Sequence, residues 1–442
     1  MKIQLLSVGI LLVASGGAWT QDATPAPAKM DSILQRPNLW ETTAPDLQTD
    51  FKALRFEWTS TTQDTARTAA RGLTFSGRPL NEALLRFHEG KLSEATLIYF
   101  NRGDAGELGE KAFETLLADI TAALTALTGK PPIERGRNAT SAVRAEGRMW
   151  DVDPTEYLLE WSVTKESRSR GIPFRAEFIR LAIHPKNNAP RAIGAATPGN
   201  TSREAVKRFA GRDHIEHLPD GSVWLKDVPM VDQGQKGYCV VASAERVLRY
   251  YGAEVDQHEL AQMANSDATH GTSPEAMFAS MKKLTSRFGV KTKSLYDWDF
   301  ADFLKLIGDY NRATRRGKLA PEVQLSGQII DVDKCYRQMN PDIYKELRLK
   351  KTAEFGKFQR EIQQSIDAGI PLLWSVRLGL VTEKDIPQAV GGHMRLIIGY
   401  NTTSKEILYT DSWGMGHEQK RLPAADAWVI TNGLYALQPI GS

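Results

Sequence analysis

One stretch limits what this chain can fold into more than any other: Val231-Asp232-Gln233-Gly234-Gln235-Lys236-Gly237-Tyr238-Cys239-Val240-Val241-Ala242-Ser243, answered far downstream by Gly391-Gly392-His393 and Asp411-Ser412-Trp413-Gly414. Cys239 opens a segment in which Val240, Ala244, Val247, Leu248 and Tyr251 share one helical face, and Gly252 ends it. His393 and Asp411 instead sit at the edges of strand-like runs. A fold that uses both halves must bring the N-terminus of a helix against the edge of a sheet. Residues far apart in sequence become neighbours that way. A thiol, an imidazole, a carboxylate and an amide in this order form the set that cysteine acyl transfer needs: a nucleophile, a base, an orienter for the base and an oxyanion donor.

Each residue type has a physical reason to be there. The positive end of a helix macrodipole and a neighbouring imidazolium both favour a thiolate over a thiol. Gln233 lies six positions before Cys239, and Gly234 and Gly237 allow the positive φ that a tight turn between them requires. Its amide N–H and the Cys239 backbone N–H then hold the developing oxyanion, where losing one donor costs about 2.7–4 kcal/mol of barrier. His393 accepts the thiol proton and returns it to the leaving amine. Asp411 takes the other ring N–H and fixes the tautomer, and Trp413 keeps water from that bond. Singly, each residue reads more blandly, as a packed cysteine, a satisfied histidine or an Asp-Ser turn. The joint order outweighs those readings.

A chain of 442 residues implies two folded domains plus a leader. Its 41% hydrophobic and 25% charged content is that of an ordinary globular protein, and a net charge of +3 gives no reason to expect a nucleic-acid partner. Lys2, the apolar Leu5 to Val13 and the small residues Ala14-Ser15-Gly16-Gly17-Ala18 read as a cleaved secretory signal, residues 1–18, too short to span a bilayer. The expected location is periplasmic or secreted, with no integral membrane segment in the mature chain. Two cysteines, Cys239 and Cys335, make no disulfide framework; a bridge between them would block the nucleophile, and Cys335 reads as a small apolar residue. No cofactor or metal is expected: His214-Ile215-Glu216-His217 stands without further ligands, and His258-Glu259 lacks the second histidine of a zinc helix.

The expected fold class is α+β, in two domains. After a Pro/Ala-rich lead-in, 19–33, residues 34–184 form an N-terminal α+β domain of unknown role, with strands over Phe51–Thr59, a Leu84–Phe87 and Ala95–Phe100 hairpin, one helix carrying Phe113 to Leu127, and strands over Tyr157–Val163 and Phe174–Ile183. Residues 185–215, with Asn187-Asn188-Ala189-Pro190, read as a linker. The second domain, 216–442, reads as helices first and antiparallel sheet second. Its helices include one capped by Asp256 and Glu259, one opened by Ser273-Pro274 and one on Phe358, Ile362 and Ile366. Its strands are Pro371–Leu378, Met394–Tyr400, Ile407–Thr410 and Ala427–Ile430. The basic runs around Arg315 and Arg348 read as solvated helix faces.

At Gln233-Gly234, Gly237-Tyr238-Cys239, His393 and Asp411-Ser412-Trp413-Gly414 the chain resembles the papain-like cysteine peptidases. Ala242-Ser243 and Arg249-Tyr250-Tyr251-Gly252 make it similar also to the double-glycine leader-processing peptidases and their stand-alone relatives. The resemblance covers roughly the second half of the chain. It implies a papain-like domain, Cys239 as nucleophile, His393 as base, Asp411 as orienter, Gln233 in the oxyanion hole and a peptide or protein substrate. Lys236 and Val240 depart from papain's pattern, and Asp411 in place of Asn fits the leader-processing branch. Two rival readings keep the same residues: a transglutaminase-type acyl transferase, and an inactive binding module on a peptidase fold.

Overall fold

The computed structural model describes residues 28–135, 145–164, 173–186, 206, 208–234, 237–253, 255, 257–264, 277–279, 282, 288–317, 320–325, 330–384, 386 and 390–440. The expected leader, Asp256, Ser273-Pro274 and most of the expected linker lie outside these residues. Among them no helix is long and apolar enough to cross a membrane.

Helix and sheet are mixed throughout, around two large antiparallel sheets. The first runs in the order β1 (Glu57–Trp58), β2 (Thr65–Thr68), β5 (Glu82–His88), β6 (Lys91–Asn101), β10 (Arg175–Pro185), β9 (Thr155–Thr164), β8 (Ala145–Val152), β7 (Ile133–Arg135); β3 (Thr74–Phe75) and β4 (Arg78–Pro79) form a separate ribbon. Alternation along β10 sends Ile179, Leu181 and Ile183 into a core shared with Phe113, Ile120 and Leu124 of the Glu110–Thr128 helix. Arg180, Ala182 and His184 face the other way, into a cavity of about 330 Å³ whose far wall includes Glu245, Arg249 and His258. Both faces of this sheet are therefore covered, and Arg180 is buried between Glu160 and Glu259 at 3.0 and 3.1 Å. A buried guanidinium needs such partners, because an unpaired charge there costs several kcal/mol.

The second sheet runs β11 (Ile215–His217), β12 (Ser222–Leu225), β15 (Gly391–Asn401), β14 (Leu372–Leu378), β18 (Thr431–Pro439), β13 (Val290–Tyr296), with β16 (Glu406–Thr410) paired to β15 and to β17 (Lys420–Pro423). It too is a middle layer. Leu373, Met394, Leu396 and Leu408 pack under the Cys239–Tyr250 helix. Leu372, Trp374, Val376 and Ile397 pack under the helices that run between Phe300 and Ile366. A strand buried on both faces has no polar alternation to read.

Several expectations change. Phe51–Thr59 is a short 3-10 turn, Lys52–Leu54, followed by the two-residue β1, since Phe51 and Leu54 both point into the core instead of alternating. Ala427–Ile430 is the end of a helix, Ala424–Ile430, and the strand starts at Thr431; both faces of that turn are buried, so the apolar run has no periodicity of its own. Helices do not precede sheet: β11 and β12 come before the Cys239 helix, and β13 follows it. Residues 28–33, placed in the lead-in, contribute buried Met30 and Ile33 to the N-terminal core. Arg348 is no solvated residue: it is buried, lies 4.1 Å over the Trp428 ring and donates to the Trp428 and Thr431 carbonyls.

Candidate active site

Cys239 is the first residue of its helix, with Tyr238 as N-cap; Tyr238 supplies no side-chain cap, unlike the Ser, Thr, Asp or Asn usual there. Cys239, Ser243 and Arg246 recur at helical spacing and form the stripe that meets the sheet. Ser243 Oγ lies 3.4 Å from the Met394 carbonyl, next to His393. Arg246, fully enclosed, donates to the carbonyls of Pro229 and Asp411 and to Thr410 Oγ1 at 2.6–2.8 Å. It ties the Cys239 helix to the strand end that carries Asp411. Burial lowers its pKa to about 10.

His393 is the third residue of β15, and Asp411 directly follows β16, the neighbouring strand. Their side chains meet with Nε2 2.6 Å from Asp411 Oδ1, both fully buried. With Nε2 committed, the ring nitrogen left for the thiol is Nδ1, which makes no hydrogen bond among the described residues. Burial by itself pushes the imidazole down. The Asp411 carboxylate, with Cys239 nearby, outweighs it and raises the His393 pKa to about 9. Burial likewise opposes ionisation of Asp411, but His393 and Arg395 hold its carboxyl well below the usual range. Trp413 lies parallel to the imidazole, ring centroids 4.5 Å apart, and covers the His393–Asp411 bond as its place after Asp411 leads one to expect.

Gln233 is held to the same loop. Its backbone N–H donates to the Ser412 carbonyl at 2.9 Å, and its Oε1 accepts from Ser412 Oγ at 2.7 Å. The amide oxygen thus faces Ser412, and the NH2 is the donor end. The Ser412 N–H in turn donates to Asp411 Oδ1. All four expected residues, Gln233, Cys239, His393 and Asp411, thus belong to one connected and mostly buried cluster.

Arg246, Arg395 and Glu383 escaped the sequence reading. Arg395 stands two positions after His393 on β15, so the strand's period places it on the same side. Its Nε donates to Asp411 Oδ2 at 2.8 Å, and its Nη1 grips Glu383 through both oxygens at 2.8–3.0 Å. Tyr409 Oη donates to the same Glu383. The i+2 spacing from His393 is the one signal that pointed to Arg395; nothing local marks Glu383. Cys335, by contrast, is a free and buried thiol in the cluster under the second sheet's helices, its pKa raised first by burial.

Residues 225–315 and 313–435 match the model of the Peptidase_C39 like family. Among solved structures, xylellain, a cysteine protease from Xylella fastidiosa, aligns over 54% of this chain and 90% of its own at 15% identity and a TM-score of 0.27. No curated protein matches. The family match spans the helix of Cys239 and the strands of His393 and Asp411, and leaves the first sheet outside. By that match residues 225–435, a little under half of the chain, are similar to the C39 peptidases, and the protein is a cysteine peptidase, a hydrolase.

Proposed function

We propose that the protein is an exported thiol peptidase that cuts a peptide or isopeptide bond through a thioester on Cys239. The observation that carries this reading is the buried imidazole of His393, fixed by Asp411 on Nε2, with its Nδ1 left without a hydrogen bond for the neighbouring Cys239 thiol. In the proposed cycle His393 holds the thiol proton while Sγ attacks the scissile carbonyl carbon. The oxyanion is met by the Gln233 NH2 and the Cys239 backbone N–H. The amine leaves with the proton from His393, and water, deprotonated by the same ring, releases the acid and the thiol.

The test is to incubate the protein with a peptide library, quench in acid and read peptides and protein by mass spectrometry. Expected are new amino termini and an acyl adduct on the Cys239 peptide. Amine incorporated in place of cleavage would identify an acyl transferase instead, and neither turnover nor rapid alkylation would leave a binding module. Gln233→Ala lowers kcat by about 10²–10³-fold, the usual cost of one oxyanion donor. The pH profile of kcat/KM carries its alkaline limb near 9, because the His393 proton that the leaving amine needs is lost there; a titration from pH 6 upward reads it.

We further place the first sheet and its core in a domain separate from the peptidase half, and the mature protein outside the cytoplasm. Two separate sheets with separate cores support the first, and the Lys2 to Ala18 pattern supports the second. N-terminal sequencing of the protein recovered from the medium or periplasm tests the cleavage after Ala18.

A further inference from the structure

We infer that the first sheet is a working part of the peptidase site: Arg67, on β2, is a positioning residue that holds the Gln233–Gly234 turn, and Tyr238 fastens the start of the Cys239 helix to the same sheet. The inference rests on the reading of Gln233 as an oxyanion donor.

Arg67 is anchored in its own sheet by Glu82, with Nε and Nη2 both 2.8 Å from Oε2 and the carboxylate side chain 2% exposed. From that anchor it reaches across to the peptidase half. Its Nη1 lies 3.9 Å from Asp232 Oδ2, and the guanidinium lies so close to Gly234 that a Cβ there would sit 2.4 Å from Nη2. Gly234 has φ +65°, so the turn is one that a side chain would both strain and obstruct. Asp232 completes the clamp: its Oδ1 accepts the Gly234 N–H at 2.8 Å, and its Oδ2 lies 3.3 Å from where a Cβ on Gly414 would be. The turn bearing Gln233 is thus gripped between β2 on one side and the Asp411–Gly414 loop on the other.

The second fastening is at the residue before the nucleophile. Tyr238 Oη donates to Asn101 Oδ1 at 2.9 Å, and a Cβ on Gly103 would sit 1.9 Å from the tyrosine oxygen, so only glycine leaves room for the ring. His258, on the helix after the Cys239 helix, approaches Glu82 at 3.5 Å, returning to the carboxylate that anchors Arg67. An oxyanion donor works only when aimed at the position the oxygen will occupy, and a displacement of 1 Å by a remote change costs about 10²-fold. A turn whose one flank is built by the first sheet depends on that sheet for its aim. The first sheet is accordingly not a shield to be removed for activity.

Arg67→Gln and Asp232→Asn in the full chain test this; the second keeps an Oδ1 acceptor for Gly234 and disturbs only the ion pair. Peptide hydrolysis needs the oxyanion donors, whereas alkylation of Cys239 by iodoacetamide needs only the thiolate. The expected result in both variants is a kcat lowered about tenfold to 10²-fold with KM and the alkylation rate held. Unchanged kcat in both, or alkylation falling in step with hydrolysis, overturns the inference. Gln233→Ala measured alongside separates the two levels: if it loses kcat while the other variants do not, only the clamp fails. Full kcat in Gln233→Ala would mean that the oxyanion assignment is wrong, and the positioning role with it.

Discussion

Cys239→Ala abolishes peptide hydrolysis without unfolding the protein. The residue is 7% exposed at the first position of a helix, where alanine fits and favours the helical backbone, so little stability is at risk. The chemistry has no substitute, because the proposed thioester needs Sγ. In hydrolases whose nucleophile and base act as a unit, removing either costs on the order of 10⁶ in kcat, and removing both costs little more. His393→Ala is therefore expected to match Cys239→Ala, and the double variant to be no worse. Iodoacetamide supplies the second readout: alkylation of Cys239 at neutral pH slows in His393→Ala. Cys335, buried in a cluster of apolar side chains, stays inert in both proteins and serves as the internal control. Full hydrolytic activity in Cys239→Ala would falsify the assignment.

Arg395→Met is expected to be the most destabilising single change near the site, by about 3–5 kcal/mol, the cost of removing one member of a buried charged pair. Arg395 is fully buried and joins two carboxylates, Asp411 and Glu383, themselves 0% and 7% exposed in the side chain. Methionine fills the space but leaves Asp411 without the cation that, with His393, keeps it ionised in the interior. Urea unfolding at pH 7 measures the loss. Arg395→Met with Glu383→Gln should recover part of it, since that variant removes one of the stranded charges. If the single variant is as stable as the parent, the network contributes geometry alone.

The sign of the pH effect can be worked out for the same cluster. The folded pKa of His393, about 9, lies above its ordinary 6.5, so its contribution to stability is complete below 6.5 and is lost as pH rises through 9. Asp411 is depressed, so its contribution is present above the ordinary carboxylate range and is lost only in strong acid. Both are present together between those limits. Stability therefore falls first on the alkaline side of neutrality as far as this pair is concerned.

The residues of the candidate site were legible as a set because their chemistry is specific and their order is unusual. Gln233, Cys239, His393, Asp411 and the covering Trp413 were all picked out from spacing and residue type, and so were the Glu110–Thr128 helix, the β5–β6 hairpin and strands β9, β10, β14 and β15, where amphipathic or apolar runs end at turn residues. Ala427–Ile430 was misread because a run buried on every side carries no period to tell helix from strand. Arg348 and Arg395 were missed or misplaced for a related reason. A charged side chain reads as solvated until the fold supplies the carbonyls, rings and carboxylates that make its burial affordable.

What the sequence determined by itself is the local part: which segment becomes the Cys239 helix, which strands carry His393 and lead into Asp411, and which turn bears Gln233. Those follow from periodicity, capping and turn chemistry, each confined to a few neighbouring residues. Tertiary structure alone decided how the parts are held: Arg246 pinning the Cys239 helix to Asp411, Arg395 between Asp411 and Glu383, and Arg67 reaching from the first sheet to Gly234. Such contacts join residues from separate elements, and an ion pair or a close approach between them depends on where two surfaces meet, which no local pattern encodes.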